Sequence, residues 1–139
     1  GIDDQNADQY RKTNVLISGA RHTPPEHIFV AEQMTALVSW HSSAMEQMHP
    51  VERAARLHVD FVKIHPFADG NGRFARLLMN LELLKAGFLP VIVQNSDRLS
   101  YYEALDTAHV EDDYEPFLKL TENLVITSFD PYWFALDGK

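Results

Sequence analysis

With 139 residues, 45% of them hydrophobic, the chain holds enough apolar material for the core of a single domain. Its formal net charge of −8 argues against a nucleic-acid partner held by a broad basic surface, and the absence of cysteine excludes disulfides and thiolate metal sites. No run approaches the ~18 apolar residues of a membrane span.

Residues 1–9 are polar and acidic and begin with Gly1 rather than Met, which reads as an extension on an excised piece of a longer protein. The expectation is a soluble chain, cytoplasmic if its source is bacterial, with one domain over 10–128 and an aromatic tail over 129–139. Between Tyr10 and Pro25 the run Asn14-Val15-Leu16-Ile17-Ser18, followed by Gly19 and a polar turn, predicts a short strand or hairpin. Pro25-Glu26 then suits the first turn of a helix reaching about His41, with Ile28, Met34, Leu37, Val38 and Trp40 at helical spacing.

His49-Pro50 opens a second helix whose broad apolar face, Val51 through Ile64, delivers His65 at its end. His58, two turns before His65 on that face, reads as a hydrogen-bonded core residue rather than a ligand. A third helix runs from about Asn71 to Ala86, with Gly87 as its stop. It is apolar nearly all round, which predicts a buried central helix. Leu89 to Val93 is an apolar connection, and Asp97 can cap a fourth helix over Arg98 to about His109, with Tyr101, Tyr102 and Leu105 turned inward or toward a ligand. An acidic stretch, Glu111 to Glu115, then starts a last helix, and the tail Phe129 to Phe134 follows it.

The chemistry is concentrated in His65-Pro66-Phe67-Ala68-Asp69-Gly70-Asn71-Gly72-Arg73-Phe74-Ala75-Arg76, where a loop gives way to a helix. Unpaired amides of a first helical turn attract anions, Gly70 and Gly72 let phosphate oxygens approach the backbone, and Arg73 and Arg76 offer two forked donors on one face. Asp69 can hold a hard cation beside phosphates, and neutral His65 can take a proton from a hydroxyl near physiological pH.

This stretch resembles the core motif of the Fic family: His, any residue, Phe, any residue, Asp or Glu, Gly, Asn, Gly or Lys, Arg, two free positions, Arg. Every fixed position is matched, and the likeness extends from about Tyr10 to Val125. It implies an all-α fold with a small β-hairpin flap, Leu16-Ile17-Ser18-Gly19, that docks a target protein by strand addition. It further implies transfer of AMP from ATP to a Ser, Thr or Tyr hydroxyl of that target, releasing pyrophosphate, with magnesium or alternatively manganese. In that picture His65 is the base, Asp69 the metal ligand, and Gly70, Asn71, Gly72, Arg73 and Arg76 hold phosphates. Tyr101, Tyr102 and His109 lie at the nucleobase pocket; some relatives carry Asn at the His109 position, so the preferred base is open. Phosphorylating Doc-type relatives resemble a motif with Lys at the Gly72 position and no final arginine, so Gly72 and Arg76 favour AMP transfer here. A nucleotide- or protein-binding module without turnover, or transfer of a different phosphate-containing group, is the alternative.

Many Fic proteins also carry an inhibitory helix with Ser or Thr, three free positions, Glu, then Gly or Asn. Here Glu122-Asn123 follows Leu118 at the Ser/Thr position, so the pattern fails, and the inhibitor is expected upstream of Gly1 or on a separate partner. A homodimer is compatible with the aromatic tail.

Overall fold

The computed structural model describes residues 9–137, so of the expected N-terminal extension only Gln9 is among the described residues. They form six α-helices and no strand: α1 (Val30–Ala44), α2 (Pro50–Ile64), α3 (Asn71–Lys85), α4 (Arg98–Glu111), α5 (Glu115–Ser128) and α6 (Asp130–Asp137). Among the described residues no helix is long and apolar enough to cross a membrane.

The bundle is built around α2, which packs against α1, α3, α4 and α5. Its start is set by Pro50 in the first turn and by the His49 ring, whose Nδ1 accepts from the Val51 amide at 3.1 Å. Nine of its 15 residues are buried, so it has almost no solvent face. Two apolar clusters meet on it. Val51, Val59, Met79, Leu83, Leu105 and Phe117 join α2 to α3, α4 and α5, while Val30, Leu37, Leu57, Phe61 and Ala75 join it to α1 and α3. Each fully covered side chain such as Phe61 or Phe117 contributes ~1.5–3 kcal/mol relative to exposure.

The sequence expectation for the central helix falls on the wrong element. α3 leaves Phe74, Leu77, Leu81 and Leu84 between 41% and 54% exposed, a stripe along its outer face. Leucine runs on every side of a helix do not reveal which side will meet a partner, and only the Ala75, Met79, Leu83 side meets α2. Likewise α1 begins later than expected. A 3₁₀ turn, His27–Phe29, precedes it, and the His27 amide is held by Asn14 Oδ1 at 2.8 Å. Ile28 and Val38, expected inside, are 65% and 63% exposed, and α1 continues three residues past His41.

At its far end α3 stops as predicted. Gly87 takes φ 89°, with the Phe88 amide on the Leu83 carbonyl at 2.9 Å and the Gly87 amide on Leu84 at 3.0 Å. This pairing closes the last turn at a residue without a Cβ. Asn80 then brackets the connection to α4, accepting from the Val91 amide at 2.8 Å and donating to its carbonyl at 3.1 Å. Asp97 makes no capping hydrogen bond, contrary to expectation, because a 3₁₀ turn over Asn95–Asp97 leads into α4. The aromatic tail is helical as α6, with Tyr132, Trp133 and Phe134 exposed.

No hairpin forms over the predicted flap. Val15 and Ile17 are half-buried while Asn14, Leu16 and Ser18 are exposed, which is the alternation of an extended chain. The segment then turns at Ser18-Gly19, with Gly19 at φ 79° and the Ala20 amide on the Ile17 carbonyl at 3.2 Å. A return strand has no chance to pair. Arg21 is drawn to α4 by Asp106, His22 to the Lys63 carbonyl at 2.9 Å, and Pro24 and Pro25 have no amide to donate.

Candidate active site

His65 terminates α2 in the left-handed region, φ 53° and ψ 59°, with its amide still bonded to the Phe61 carbonyl at 3.0 Å. That conformation costs a residue with a Cβ ~1–2 kcal/mol, so something must hold it. The holder is Arg11, which is only 4% exposed. Its guanidinium donates to the carbonyls of His65, Ile64, Thr13 and Pro25 at 2.5–3.3 Å, and its own amide donates to the Pro66 carbonyl at 2.8 Å. Burial pushes the His65 imidazole below its ordinary pKa, and the nearby Arg11 charge and His22 push it further. Nδ1 is shut away from solvent on the side of the Val62 carbonyl, without a formed hydrogen bond.

Beyond His65 the loop is shaped by Asn71, whose carboxamide accepts from the Phe67 amide at 2.9 Å and donates to the Phe67 carbonyl at 2.8 Å. With 3% exposure, this side chain is committed to the loop. What it offers a ligand is therefore its backbone amide. Phe67 packs inward, its ring 6.0 Å from Phe61 and 5.5 Å from Phe74, which pins the loop to the core.

The helix start that follows is electropositive. Gly70 caps α3 at φ 80° with no side-chain hydrogen bond, and the first turn contains no acidic residue. Its first amides have no intrahelical acceptor and carry the positive end of the macrodipole. Arg73 and Arg76 fold back over this end. A Cβ built on Gly70 would lie 3.3 Å from Arg73 Nη2, and one on Gly72 would lie 3.2 Å from Arg76 Nη1. Two guanidinium groups therefore overhang the glycine backbone, adding positive charge to the helix start, where an anion would meet both. Gly70→Ala is expected to destabilise the fold by ~1–2 kcal/mol through its positive φ, read as a lowered urea midpoint.

Asp69 stands at the edge of this cradle. Its Oδ1 accepts from the Gly70 amide at 2.8 Å, and its Oδ2 has only a 3.9 Å approach to Arg73 with both side chains well exposed. Among the described residues no three carboxylates, histidines or cysteines cluster to hold a metal. The donor set fits a hard cation that shares one carboxylate with ligand phosphates, rather than an all-protein site.

From α4, Tyr101 reaches the cradle. Arg76 Nη1 donates to its oxygen at 3.4 Å, leaving the hydroxyl proton to donate to His58 Nε2 at 2.7 Å. Burial raises the Tyr101 pKa to about 12 and, with the Arg76 charge next, lowers that of His58 to about 3. Both groups are thus neutral at pH 7, and His58 remains a core residue as expected. Tyr102 lies edge-on to Tyr101 and is exposed. His109 is buried, bonded to the Val59 carbonyl at 2.8 Å and packed on His22 with ring centroids 4.8 Å apart. Burial first, then the His22 charge against a raising backbone bond, lowers its pKa to about 4.

His65, Gly70, Gly72, Arg73, Arg76 and Asp69 thus share one loop and helix start, and Tyr101 joins them through Arg76. Leu16, Ile17, Ser18 and Gly19 lie on the 13–25 segment, whose two ends both bond to Arg11. Among the described residues Arg76 has no carboxylate partner, and Glu122 is exposed on α5. A concavity between α2 and the α4–α5 junction, lined by Glu52, Arg56, Asp112 and Tyr114, contains no motif residue. Its acidic rim is unsuited to a polyphosphate. Arg11 and His22 escaped the sequence reading, since a single arginine or histidine in a polar stretch carries no periodicity to mark it.

The Fic/DOC family model matches residues 1–83. A protein adenylyltransferase Fic of Nematostella vectensis is 44% identical over 127 residues, which is 91% of this chain and 29% of that protein. Fic-1 of C. elegans superposes with a TM-score of 0.84 at 35% identity, over 98% of this chain and 39% of its own. A Fic domain containing signaling protein from Bacteroides thetaiotaomicron also gives 0.84, at 29% identity over 94% of this chain and 56% of its own. The chain therefore spans about three-tenths of the length of the Nematostella relative.

Proposed function

The chain belongs to the Fic/DOC family, and from that premise we propose that it is the catalytic part of a protein adenylyltransferase, moving AMP from ATP to a hydroxyl of a target protein and releasing pyrophosphate. The observation that carries the reading is the pair of guanidinium groups folded over Gly70 and Gly72 at an uncapped helix start, next to a histidine kept neutral.

The triphosphate enters with its anionic oxygens on the amides of Gly70 to Gly72, and Arg73 and Arg76 clamp its distal phosphates. Asp69, with phosphate oxygens, would hold magnesium or manganese, which when bound screens phosphate charge. His65 with its proton on Nδ1 presents Nε2 as an acceptor; it takes the proton of the target Ser, Thr or Tyr hydroxyl as that oxygen attacks the α-phosphorus. The bond from the α-phosphorus to the bridging oxygen breaks, and pyrophosphate leaves. Charge developing on the α-phosphate meets amides already oriented by Asn71 and the loop, so little reorganisation is needed. Leu16 to Gly19, extended at Leu16 and Ile17 and turned at Ser18-Gly19, offer exposed backbone on which a target segment can align. Tyr101, Tyr102 and His109 are assigned to the base side of the nucleotide.

The test is incubation of the protein, alone and with a cell lysate, with α-labelled ATP and with γ-labelled ATP. Label transferred from the α position only, with pyrophosphate released, is the expected result. Transfer from the γ position instead would identify a phosphotransferase, and binding without any transfer a silent module. Tyr101→Phe removes the hydroxyl that steadies Arg76 and is expected to raise KM for ATP by roughly 2- to 10-fold while leaving kcat nearly unchanged.

A further inference from the structure

The Arg11 side chain makes an unusual set of bonds. Among the described residues its buried guanidinium pairs with no carboxylate and donates only to main-chain carbonyls, drawn from three separate segments.

 Thr13 and Pro25 are the two ends of the 13–25 segment, and Ile64 and His65 are the last turn of α2 and its left-handed cap. The Arg11 amide adds a fifth bond, to Pro66 at 2.8 Å, just past the base. A planar group with five fixed donors can span carbonyls on three segments at once, which a lysine ammonium on a flexible stem cannot.

We propose that Arg11 is a positioning residue that fixes the target-docking segment and the His65 base to one another through a single guanidinium. The inference rests on the adenylyltransferase reading for its kinetic consequence, but its structural half stands alone. The 13–25 segment has no ladder of its own, and its tip turns at Gly19, so its stems are where it can be held. His65 sits in the left-handed region, which is costly for a residue with a Cβ, and its carbonyl oxygen is the one Arg11 grips at 2.7 Å. A hydroxyl aligned along Leu16 to Gly19 therefore meets the imidazole at a fixed separation, because both ends of that separation are measured from the same side chain. The phosphate cradle is outside this tie: Gly70, Gly72, Arg73 and Arg76 belong to the next helix start and make no bond to Arg11 among the described residues.

The experiment compares the protein with Arg11→Met and Arg11→Lys, the second retaining the charge but not the fork. Three readouts are taken: limited trypsin cleavage after Arg21, which lies within the 13–25 segment; the affinity for ATP; and kcat for AMP transfer. Cleavage after Arg21 is expected to accelerate in both variants, with ATP affinity changed by less than about threefold and kcat lowered on the order of 10²-fold, the usual consequence of misplacing a reacting group by ~1 Å. Unchanged cleavage overturns the proposal whether or not the wild-type protein transfers AMP, which separates its failure from that of the functional reading. Faster cleavage with an unchanged kcat in an active enzyme overturns the link between segment and base. Parallel loss of ATP affinity and kcat in both variants also overturns it, since that pattern marks general unfolding.

Discussion

His65→Ala is expected to lower the rate of AMP transfer by ~10²–10⁴-fold, the contribution of a positioned general base. ATP should still bind, because the amides and guanidinium groups proposed to hold its phosphates lie on the loop and α3 and make no hydrogen bond to the imidazole among the described residues. Loss of rate with retained binding, measured by label transfer and by equilibrium titration of ATP, is the signature. The pH profile adds a second check. Burial, and then the Arg11 charge and His22, lower the pKa of His65 from 6.5, so its neutral form persists further into acid. The acid limb of kcat/KM should accordingly fall below pH 6.5. An acid limb well above that value would assign the base to another group.

Arg53→Met is expected to cost ~3–5 kcal/mol of stability, because it leaves a buried carboxylate with its main partner gone. Glu82 and Arg53 are 4% and 6% exposed, so solvent screens the pair very little. Arg53 Nε donates to Glu82 Oε2 at 2.9 Å and its Nη1 to the carbonyls of Met45 and Met48, while His41 Nε2 meets Glu82 Oε1 at 2.6 Å. One carboxylate thereby ties α1, α2 and α3 together. Burial alone would raise its pKa; the hydrogen bonds from Arg53 and His41 outweigh that and hold it below the usual range. The sign follows: a carboxylate depressed in the folded state adds stability above its unfolded pKa, and that stability is lost as pH falls through the folded value. Urea denaturation should show a lowered midpoint for Arg53→Met at neutral pH. A double variant with Glu82→Leu, which removes the stranded charge, should recover part of the loss.

The legible parts of the fold were those written in local chemistry. Histidine and proline at positions 49 and 50 marked the start of α2, Gly87 marked the end of α3, and the run from His65 to Arg76 lay at the loop and helix start where it was expected. Packing partners were not legible. Leu77, Leu81 and Leu84 are as apolar as Leu83, yet only Leu83 faces α2. Pairing failed for a similar reason: Val15 to Ile17 has strand chemistry, but its return path is spent on Asp106, the Lys63 carbonyl and two prolines. Asn71 shows a subtler gap. Its presence in the motif was plain, but whether its carboxamide served a ligand or the Phe67 backbone depended on three-dimensional geometry.

The position of α2 between two apolar clusters has a consequence for how the molecule comes apart. Val62 borders both clusters, and His65 is the last link of the helix that joins them. Melting of either cluster removes part of the support of α2, so no half-folded species that keeps the His65–Arg76 loop in place is expected. Activity and global structure should vanish in the same thermal transition, and a protein that has lost either cluster is a protein already disarmed.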